Sequence, residues 1–306
     1  MTMQNSGDSL TPEVLTGMVT QSFAGTPDDR LRKVISSLVR HLHGFVRDIE
    51  PTLVEWQEGI DFLTAVGQKC DAVRQEFVLL SDVLGISMLV ETINDLDAPG
   101  ATDSTVLGPF HMTESPVRRL GESIDMLGSG IPLLVTGSVR AVTGAPIPYA
   151  TVDVWQCNED GFYDVQQPDL QPAGNGRGLF TADSQGRFWF FTVTPSHYPI
   201  PTDGPVGKLL SATSRHPFRP GHIHMIAQAD GFRELTTHIF VPDSPYLDSD
   251  AVFAVKKSLV GEFARATEDE SARFEVEIES PVARVELVLS PESEAHPATG
   301  LGAVDR

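Results

Sequence analysis

The feature that most constrains the fold is a change in hydrophobic periodicity near residue 100. Before it, apolar residues recur at helical spacing, which predicts amphipathic helices over residues 31–49, 53–66 and 70–93. After it, short apolar runs alternate with Gly, Pro and Asp, as is typical of strands joined by turns. We therefore expect a mainly β protein, in which an α-helical N-terminal region precedes a β-sandwich or barrel.

The strands predicted after residue 130 include two pairs that are expected to form hairpins. Turn residues at 183–186 and 230–231 predict that strand 179–181 pairs with 187–193, and that strand 222–229 pairs with 234–241. A helix is expected within residues 251–264. Residues 1–27 are expected to be frayed or only partly helical, and the tail from residue 291 to be loose. The remaining predicted strands are 131–139, 147–156, 273–278 and 282–289.

Charge argues against nucleic-acid and membrane partners. The chain has 306 residues and a formal net charge of −20, which repels phosphate backbones and anionic membrane surfaces. Two cysteines, Cys70 and Cys157, are too few for a disulfide framework, and we expect both to be buried thiols. No apolar run approaches the ~18 residues of a membrane span, and the first residues lack a signal-peptide pattern. A cytoplasmic protein is expected.

The strongest chemical signal is the motif Arg-Pro-Gly-His-Ile-His at residues 219–224. In a strand, alternate side chains project from the same face. His222 and His224 would therefore point to one side and could bind one metal ion. Taken alone the pair is a weak signal, because either histidine could be an ordinary core or surface residue.

Two of the four tyrosines are candidates to complete a metal site. Tyr163 and Tyr198 lie in stretches punctuated by Gly and Pro, where turns display side chains. Two imidazoles and two phenolates suit a hard, trivalent, redox-capable ion, which favours iron(III). Zinc more usually takes His, Cys or carboxylate ligands.

These residues lie in sequence blocks that resemble those of the intradiol ring-cleaving dioxygenases, which are non-haem iron(III) enzymes that open catechols between their hydroxyls. The resemblance extends from about residue 28 to about residue 290. It implies that Tyr163 and His222 are equatorial iron ligands and that Tyr198 and His224 are axial ones. The matching blocks are Leu-Gly-Pro-Phe at 107–110, Val-Asp-Val-Trp-Gln-Cys-Asn at 152–158, Gly-Phe-Tyr at 161–163, Tyr-Pro-Ile-Pro-Thr-Asp-Gly-Pro-Val-Gly at 198–207 and the motif at 219–224.

The resemblance also implies a domain layout and partners. Residues 1–105 would form a helical dimerisation domain, residues 106–290 a β-sandwich catalytic domain that carries the iron, and residues 291–306 a loose tail. Two chains would form a homodimer, in which a lipid can lie between the N-terminal helices. The substrates would be a small aromatic diol and O2.

Three residues receive catalytic roles from the resemblance. Tyr198 would leave the metal and accept a substrate proton. Arg219 would stabilise carbanionic character on the substrate ring, and a structural salt bridge is the alternative role for it. His238 occupies a position where many catechol-cleaving relatives carry glutamine, and in this it is similar to the hydroxyquinol-cleaving branch. Its expected role is to orient Arg219 or the substrate.

Asp82 favours the same branch, because catechol-cleaving relatives tend to carry proline near this position. Its carboxylate could accept a hydrogen bond from the third hydroxyl of hydroxyquinol (1,2,4-trihydroxybenzene), which catechol lacks. The alternative is an exposed aspartate at a helix end. The resemblance implies that the other pocket residues are Leu79, Val106, Gly108, Pro109, Phe110, Ile200, Pro201 and Val252.

The expected reaction converts hydroxyquinol and O2 to 3-hydroxy-cis,cis-muconate, the enol form of maleylacetate. Cleavage of catechol or chlorocatechol to cis,cis-muconates is the nearest rival. Two further classes stay open: a sandwich that binds an aromatic ligand without turning it over, and a zinc hydrolase built on His222 and His224. Colour separates the metals, because charge transfer from phenolate to iron(III) is wine-red whereas a zinc protein is colourless.

Overall fold

The computed structural model describes residues 10–71, 74–95, 99–111 and 114–292. The chain divides into two compact units, Met1–Phe62 with Glu294–Arg306, and Leu63–Ser293. Nearly all of the tail that was expected to be loose lies outside the described residues. The domain boundaries expected at residues 105 and 290 stay a prediction.

The described part of the first unit is helical. It contains α1 (Pro12–Ser22), α2 (Asp29–Ile49) and the beginning of α3 (Leu53–Gln68). Helix α2 agrees with the prediction, and α1 is the helical part of residues 1–27, which were expected to be frayed or only partly helical. Thr11 caps α1 by accepting a hydrogen bond from the backbone N–H of Val14, and proline at the first helical position is pre-organised for a helix.

The described part of the second unit contributes four further helices. Three of them are α4 (Glu76–Val83), α5 (Ile86–Asp95) and α6 (Pro205–Ala212), and the fourth lies near the last strand. The single helix predicted over residues 70–93 is wrong, because Gly85 adopts a φ of +72° and separates α4 from α5. Helix α6 was not predicted, although the Gly-Pro pair at its start is a typical helix beginning. Within the described residues, no helix combines the length and the apolar character needed to cross a membrane.

Ten strands are found in the described part of the second unit, and eight of them build two four-stranded sheets. The first sheet has the order β4-β1-β10-β9 and the second the order β3-β2-β7-β8, while β5 and β6 form a separate pair. This arrangement is the expected β-sandwich. The strands are β1 (Pro132–Ala141), β2 (Thr151–Trp155), β3 (Arg177–Thr181), β4 (Arg187–Val193), β5 (Tyr198–Pro199), β6 (Phe218–Arg219), β7 (His222–Gln228), β8 (Leu235–Phe240), β9 (Glu262–Arg265) and β10 (Pro281–Leu289).

One predicted hairpin is confirmed and the other is wrong. Strands β7 and β8 are antiparallel neighbours, with His224 opposite His238. Strands β3 and β4 lie in different sheets, so the turn between them carries the chain from one sheet to the other. In this turn the N–H of Gly186 donates to the carbonyl of Asp183 at 2.9 Å. A turn signal predicts a reversal of the chain, but it does not decide whether the flanking strands pair.

The helix predicted within residues 251–264 is also wrong. The structure has turns there, followed by a 3-10 turn (Lys257–Leu259) and β9. The carboxylate of Asp250 accepts hydrogen bonds from the N–H groups of Val252 and Ala254 at 3.3 and 3.1 Å. These contacts hold the chain in a tight loop and compete with helical hydrogen bonding.

The strand predicted over residues 273–278 overlaps α7 (Glu268–Phe274) and is wrong. A capping box starts this helix: Thr267 accepts from the N–H of Glu270, and the Glu270 carboxylate accepts from the N–H of Thr267. The same carboxylate receives two further hydrogen bonds from Arg284, at 2.9 and 2.6 Å. The helix start and β10 are thereby connected.

These contacts predict a stability term that depends on pH. Hydrogen bonds from Arg284 lower the pKa of Glu270 from 4.5 to about 2. A lowered pKa in the folded state stabilises the protein above pH 4.5, and this contribution is lost as the pH falls toward 2. Glu270→Gln should therefore reduce the free energy of unfolding by about 1 kcal/mol at pH 7, and by less as the pH falls below 4.5. Urea titrations at several pH values measure this, with exposed Glu268→Gln as control. An equal loss at every pH would contradict the assignment.

The core of the second unit lies between the two sheets. Strand β7 shows how it forms: Ile223 and Met225 point into the core, while His222 and His224 project from the other face of the sheet. Cys157 is buried, as expected, whereas Cys70 is only half-buried. Core side chains from both sheets include Val135, Val139, Val152, Val154, Phe180, Phe188, Phe190, Leu235, Ala283 and Leu287.

Candidate active site

One face of the second sheet carries a cluster of buried rings. Strand β7 presents His222 and His224 at alternate positions, as their spacing predicts. Pairing with the neighbouring strands places Trp155 of β2 and His238 of β8 on either side of His224. All four side chains are buried.

Two tyrosines reach the same place from other parts of the chain. Tyr163 directly precedes the 3-10 turn Asp164–Gln166, and Tyr198 begins β5, where it pairs with Arg219 of β6. Their exposures are 1% and 2%. The structure thus brings together the four residues that the sequence singled out as metal ligands.

The four side chains turn their polar atoms toward one another. The hydroxyl of Tyr163 lies 3.3 Å from that of Tyr198 and 3.0 Å from Nε2 of His224. Nε2 of His222 lies 3.1 Å from Nε2 of His224. Two atoms that bind one ion at right angles, each ~2.0–2.1 Å from it, stand about 2.9 Å apart. The spacings therefore fit a shared ion, and a donor set of phenol oxygens and imidazole nitrogens suits iron.

Burial controls the protonation of this cluster. It lowers the pKa of His222 and of His224 well below the ordinary value, and the charge of Arg219 contributes at both. Burial also raises the pKa of Tyr163, and the neighbouring Tyr198 raises it further. The pKa of Tyr198 is raised by burial as well, although the positive charge of Arg219 acts in the opposite direction. The imidazoles are thus in the neutral form that binds metals, whereas the phenols must lose protons to do so.

The two histidines are oriented by different contacts. Nδ1 of His222 lies 2.7 Å from the carbonyl oxygen of Pro220, a hydrogen bond that fixes the ring. Nδ1 of His224 has no such partner within the described part of the chain. Instead its ring stacks on Trp155, with centroids 4.5 Å apart and planes 12° from parallel. Gly108 also borders this ring, because an added Cβ would lie 3.0 Å from Cε1 of His224.

Arg219 is buried beside the cluster and is held by a carboxylate. Its Nε and Nη2 donate to Asp250 at 3.0 and 3.3 Å, while Nη1 lies 3.2 Å from Nε2 of His222. Nη2 lies 3.5 Å from Nδ1 of His238. Ring nitrogens of His222, His224 and His238 all lie within 4.8 Å of one another. The guanidinium and the third imidazole therefore adjoin the four candidate ligands.

A cavity of about 540 Å³ reaches the cluster at Gly108, which lines the cavity and borders the ring of His224. Among the described residues, neither the four candidate ligands nor Arg219 lines it. Four residues of the predicted pocket line it: Asp82, Val106, Gly108 and Pro109. Asp82 is 2% exposed, and its Oδ1 has no hydrogen-bond partner among residues that the structure describes. Burial raises the pKa of Asp82, and the charge of Arg219 opposes the rise. Asp82 is therefore not an exposed residue at a helix end.

The other predicted pocket residues lie outside this lining. Phe110 stacks on the ring of Tyr163, with centroids 4.6 Å apart. Several lining residues were not predicted, because they share no local pattern with the metal motif. These are Gln75, Val78, Ser81, Ser87, Val90, Glu91, Leu107 and His111. The predicted residues that do not line the cavity, apart from Phe110, are Leu79, Ile200, Pro201 and Val252.

Two further residues of the site were not assigned a role from the sequence. Trp155 is fully buried, and its stacking on His224 was not predicted. Asp250 was not singled out at all. No sequence signal could have linked either residue to its partner, because Trp155 meets His224 through strand pairing and Asp250 meets Arg219 across 31 positions.

Family comparisons cover nearly the whole chain. Residues 107–280 match a family model described as "Dioxygenase", and residues 28–102 match one described as "Catechol dioxygenase N terminus". A hydroxyquinol 1,2-dioxygenase of Rhizobium sp. (strain MTP-10005) is 50% identical over 246 residues, which are 80% of this chain and 83% of the relative.

Solved structures agree with these matches. A hydroxyquinol 1,2-dioxygenase from Pseudomonas putida DLL-E4 superposes with a TM-score of 0.83 at 47% identity, covering 92% of this chain and 99% of that one. A catechol 1,2-dioxygenase from Acinetobacter radioresistens superposes with a TM-score of 0.81 at 27% identity, covering 96% and 97%. From the extent of these matches, the chain belongs to the intradiol dioxygenases, non-haem iron enzymes that act on aromatic diols with O2.

Proposed function

We propose that the chain is an iron(III) enzyme that cleaves hydroxyquinol with O2 to 3-hydroxy-cis,cis-muconate. The observation that carries the choice of substrate is the buried carboxylate of Asp82, which lines the same cavity as Gly108, the neighbour of the His224 ring. The relatives named hydroxyquinol 1,2-dioxygenase support the same choice.

We assign the iron to Tyr163, Tyr198, His222 and His224. The support is the mutual spacing of their polar atoms, 3.0–3.3 Å, in a buried place. Two phenolates would offset most of the charge of a ferric ion, which makes the +3 state the natural one for this donor set. Bound iron(III) would act as a Lewis acid toward the two hydroxyl oxygens of the diol.

The protein side chains would handle the protons and charge of the reaction. A diol that loses both hydroxyl protons needs two acceptors: the phenolate oxygen of Tyr198 would take one proton to become the neutral phenol, and solvent would take the other. The raised pKa of Tyr198 makes its phenolate a good acceptor. Nη1 of Arg219 lies 3.2 Å from Nε2 of His222, beside the assigned iron position. There its fixed positive charge would stabilise negative charge that develops on the substrate ring.

The assigned substrate fits the polarity of the cavity. A third hydroxyl on the ring could donate a hydrogen bond to Oδ1 of Asp82, which is otherwise without a partner in the described chain. Catechol would leave this buried oxygen unpaired, at a cost of about 1–3 kcal/mol. His238 is assigned the role of orienting Arg219 or the substrate, since Nη2 of Arg219 lies 3.5 Å from its Nδ1.

We assign the contacts with the apolar part of the ring to the remaining predicted residues. Val106, Gly108 and Pro109 line the cavity, and Phe110 stacks on Tyr163. The others are buried or half-buried, and their assignment follows the family resemblance. These are Leu79, Ile200, Pro201 and Val252.

Steady-state oxygen consumption on two substrates tests the proposed function. With hydroxyquinol we expect a kcat/KM about 10- to 100-fold higher than with catechol, because only hydroxyquinol pairs with Asp82. Iron analysis and a visible spectrum of the same sample should give one iron per chain and a wine-red band. A preference for catechol would overturn the substrate assignment but leave the iron centre. A colourless zinc protein would overturn the centre itself.

A homodimer is proposed from the first unit. Leu38, Leu42, Phe45 and Ile49 of α2 recur at alternating spacings of four and three residues, and each is about half exposed in the single chain, at 49–57%. A second copy of this chain would cover that stripe, with lipid as an additional occupant. Native mass spectrometry separates these states, since each chain contributes 33.2 kDa and lipid adds mass. The cytoplasmic location stays a prediction.

A further inference from the structure

The loop that follows β8 contains Asp250, whose buried carboxylate accepts two hydrogen bonds at each of its oxygens. Oδ1 of Asp250 accepts from Nε of Arg219 at 3.0 Å and from the N–H of Val252 at 3.3 Å. Oδ2 accepts from Nη2 of Arg219 at 3.3 Å and from the N–H of Ala254 at 3.1 Å. One side chain therefore holds the guanidinium of Arg219 and also accepts hydrogen bonds from two N–H groups of its own loop.

The geometry of a guanidinium explains what this contact achieves. The group is planar and presents its donors in a fixed fork, so a carboxylate bound along the Nε–Nη2 edge sets the direction of Nη1. In this structure Nη1 lies 3.2 Å from Nε2 of His222. Rotation about the side-chain bonds of Arg219 would move Nη1 away from the candidate iron ligands, but the two hydrogen bonds to Asp250 oppose it.

Asp250 also neutralises the buried positive charge of Arg219. The guanidinium of Arg219 is buried, with 2% of the side chain exposed, and arginine does not lose its proton in proteins. An unpaired buried cation would repel a metal ion bound by His222. The negative charge of Asp250, 1% exposed, offsets the guanidinium, so that a metal ion could bind at His222 beside it.

Arg215 holds this loop in position. Nη1 of Arg215 donates to the carbonyl of Val83 at 2.6 Å, and its Nη2 donates to the carbonyl of Ala251 at 2.8 Å. Val83 follows Asp82 in the chain, and Ala251 follows Asp250. The loop that holds Arg219 is thus fastened to the end of α4, where the carboxylate assigned to the third hydroxyl is located.

We propose that Asp250 is a positioning residue, which acts on catalysis by aiming the guanidinium of Arg219 at the reacting diol. The inference rests on the proposed function, because it takes Arg219 to stabilise charge on the substrate. It goes beyond that function in assigning part of the rate to a residue that touches neither substrate nor iron.

A double-mutant cycle tests it. Asp250→Asn keeps the size of the side chain but replaces one acceptor oxygen by an NH2 group. This group can only donate hydrogen bonds, so it cannot accept from Nη2 of Arg219 or from the N–H of Ala254. We expect kcat to fall about 10²-fold, the effect of a misplaced catalytic group, with the iron content and the visible band unchanged. Arg219→Leu should lose about 10²- to 10³-fold. Asp248→Asn, an exposed aspartate of the same loop, is the matched control.

The decisive variant carries both changes. If Asp250 acts through Arg219, the double variant should retain the activity of Arg219→Leu to within about twofold, because there is no guanidinium left to aim. Multiplied losses would mean that Asp250 supports the fold independently and would overturn the proposal. Wild-type activity in Asp250→Asn would overturn it as well.

Melting of the iron-free variants gives a readout that does not depend on turnover. Asp250→Asn should lower the melting temperature by about 5 °C or more, since it leaves a buried charge unpaired, and the double variant should recover part of this loss. The cycle is run on whichever diol the wild type cleaves fastest. A wild-type protein that cleaves no diol would refute the proposed function, whereas multiplied losses in an active protein would refute only the role of Asp250.

Discussion

Replacing Tyr163 by phenylalanine should weaken and shift the wine-red band, because Tyr198 alone would remain as a phenolate ligand, and should reduce hydroxyquinol turnover by on the order of 10³-fold. The change deletes a single oxygen, which lies 3.0 Å from Nε2 of His224 and 3.3 Å from the Tyr198 hydroxyl. Loss of the proposed anionic ligand should weaken iron binding and the Lewis-acid contribution, and about 4 kcal/mol of lost stabilisation corresponds to this factor. Iron analysis, the visible spectrum and oxygen consumption measure the three consequences.

The fold should survive this substitution. The ring of Tyr163 packs in an apolar cluster and stacks on Phe110, and phenylalanine preserves both contacts. The matched control is Tyr149→Phe, which removes the hydroxyl of an exposed tyrosine and should leave iron content and turnover unchanged. If Tyr163→Phe consumed oxygen at the wild-type rate, the assignment of the metal centre would be wrong.

Asp82→Ala should shift the preference between hydroxyquinol and catechol by on the order of 10²-fold. Alanine removes the acceptor for the third hydroxyl, so kcat/KM for hydroxyquinol should fall. Catechol loses nothing, and it no longer leaves a buried carboxylate without a partner. Proline would be a poorer probe, because residue 82 lies within α4 and proline would also remove a backbone hydrogen bond.

The specificity ratio is the quantity that decides this prediction. Asp48→Ala, at an exposed position of α2, should leave the ratio unchanged. Asp82→Asn keeps an acceptor oxygen and should fall between the wild type and Asp82→Ala. If kcat/KM fell equally for both diols, Asp82 would support the structure of the pocket without recognising the third hydroxyl.

The parts of the fold and the site that were predicted depend on local regularities. His222 and His224 point to one face because alternation is a property of any strand, and β7 is a strand. The capped start of α2 was predictable for a similar reason, since Asp28 accepts from the N–H of Leu31 three residues later.

The parts that were not predicted depend on partners distant in sequence. Strands β3 and β4 flank a turn typical of hairpins, yet each finds better neighbours in a different sheet. Asp250 replaces a helix by a loop because its carboxylate is buried against Arg219, which no periodicity records. Trp155 becomes a support for His224 only through the pairing of β2 with β7.

The two faces of β7 have a consequence for how this enzyme can diverge. Ile223 and Met225 fill the sandwich interior, and His222 and His224 occupy the positions between and before them. A one-residue insertion or deletion inside the strand would send imidazoles into the hydrocarbon interior and leave aliphatic side chains facing the candidate metal site. Insertions and deletions in this strand would therefore disrupt both the core and the site. Changes in substrate range have to come from the surrounding loops and helices.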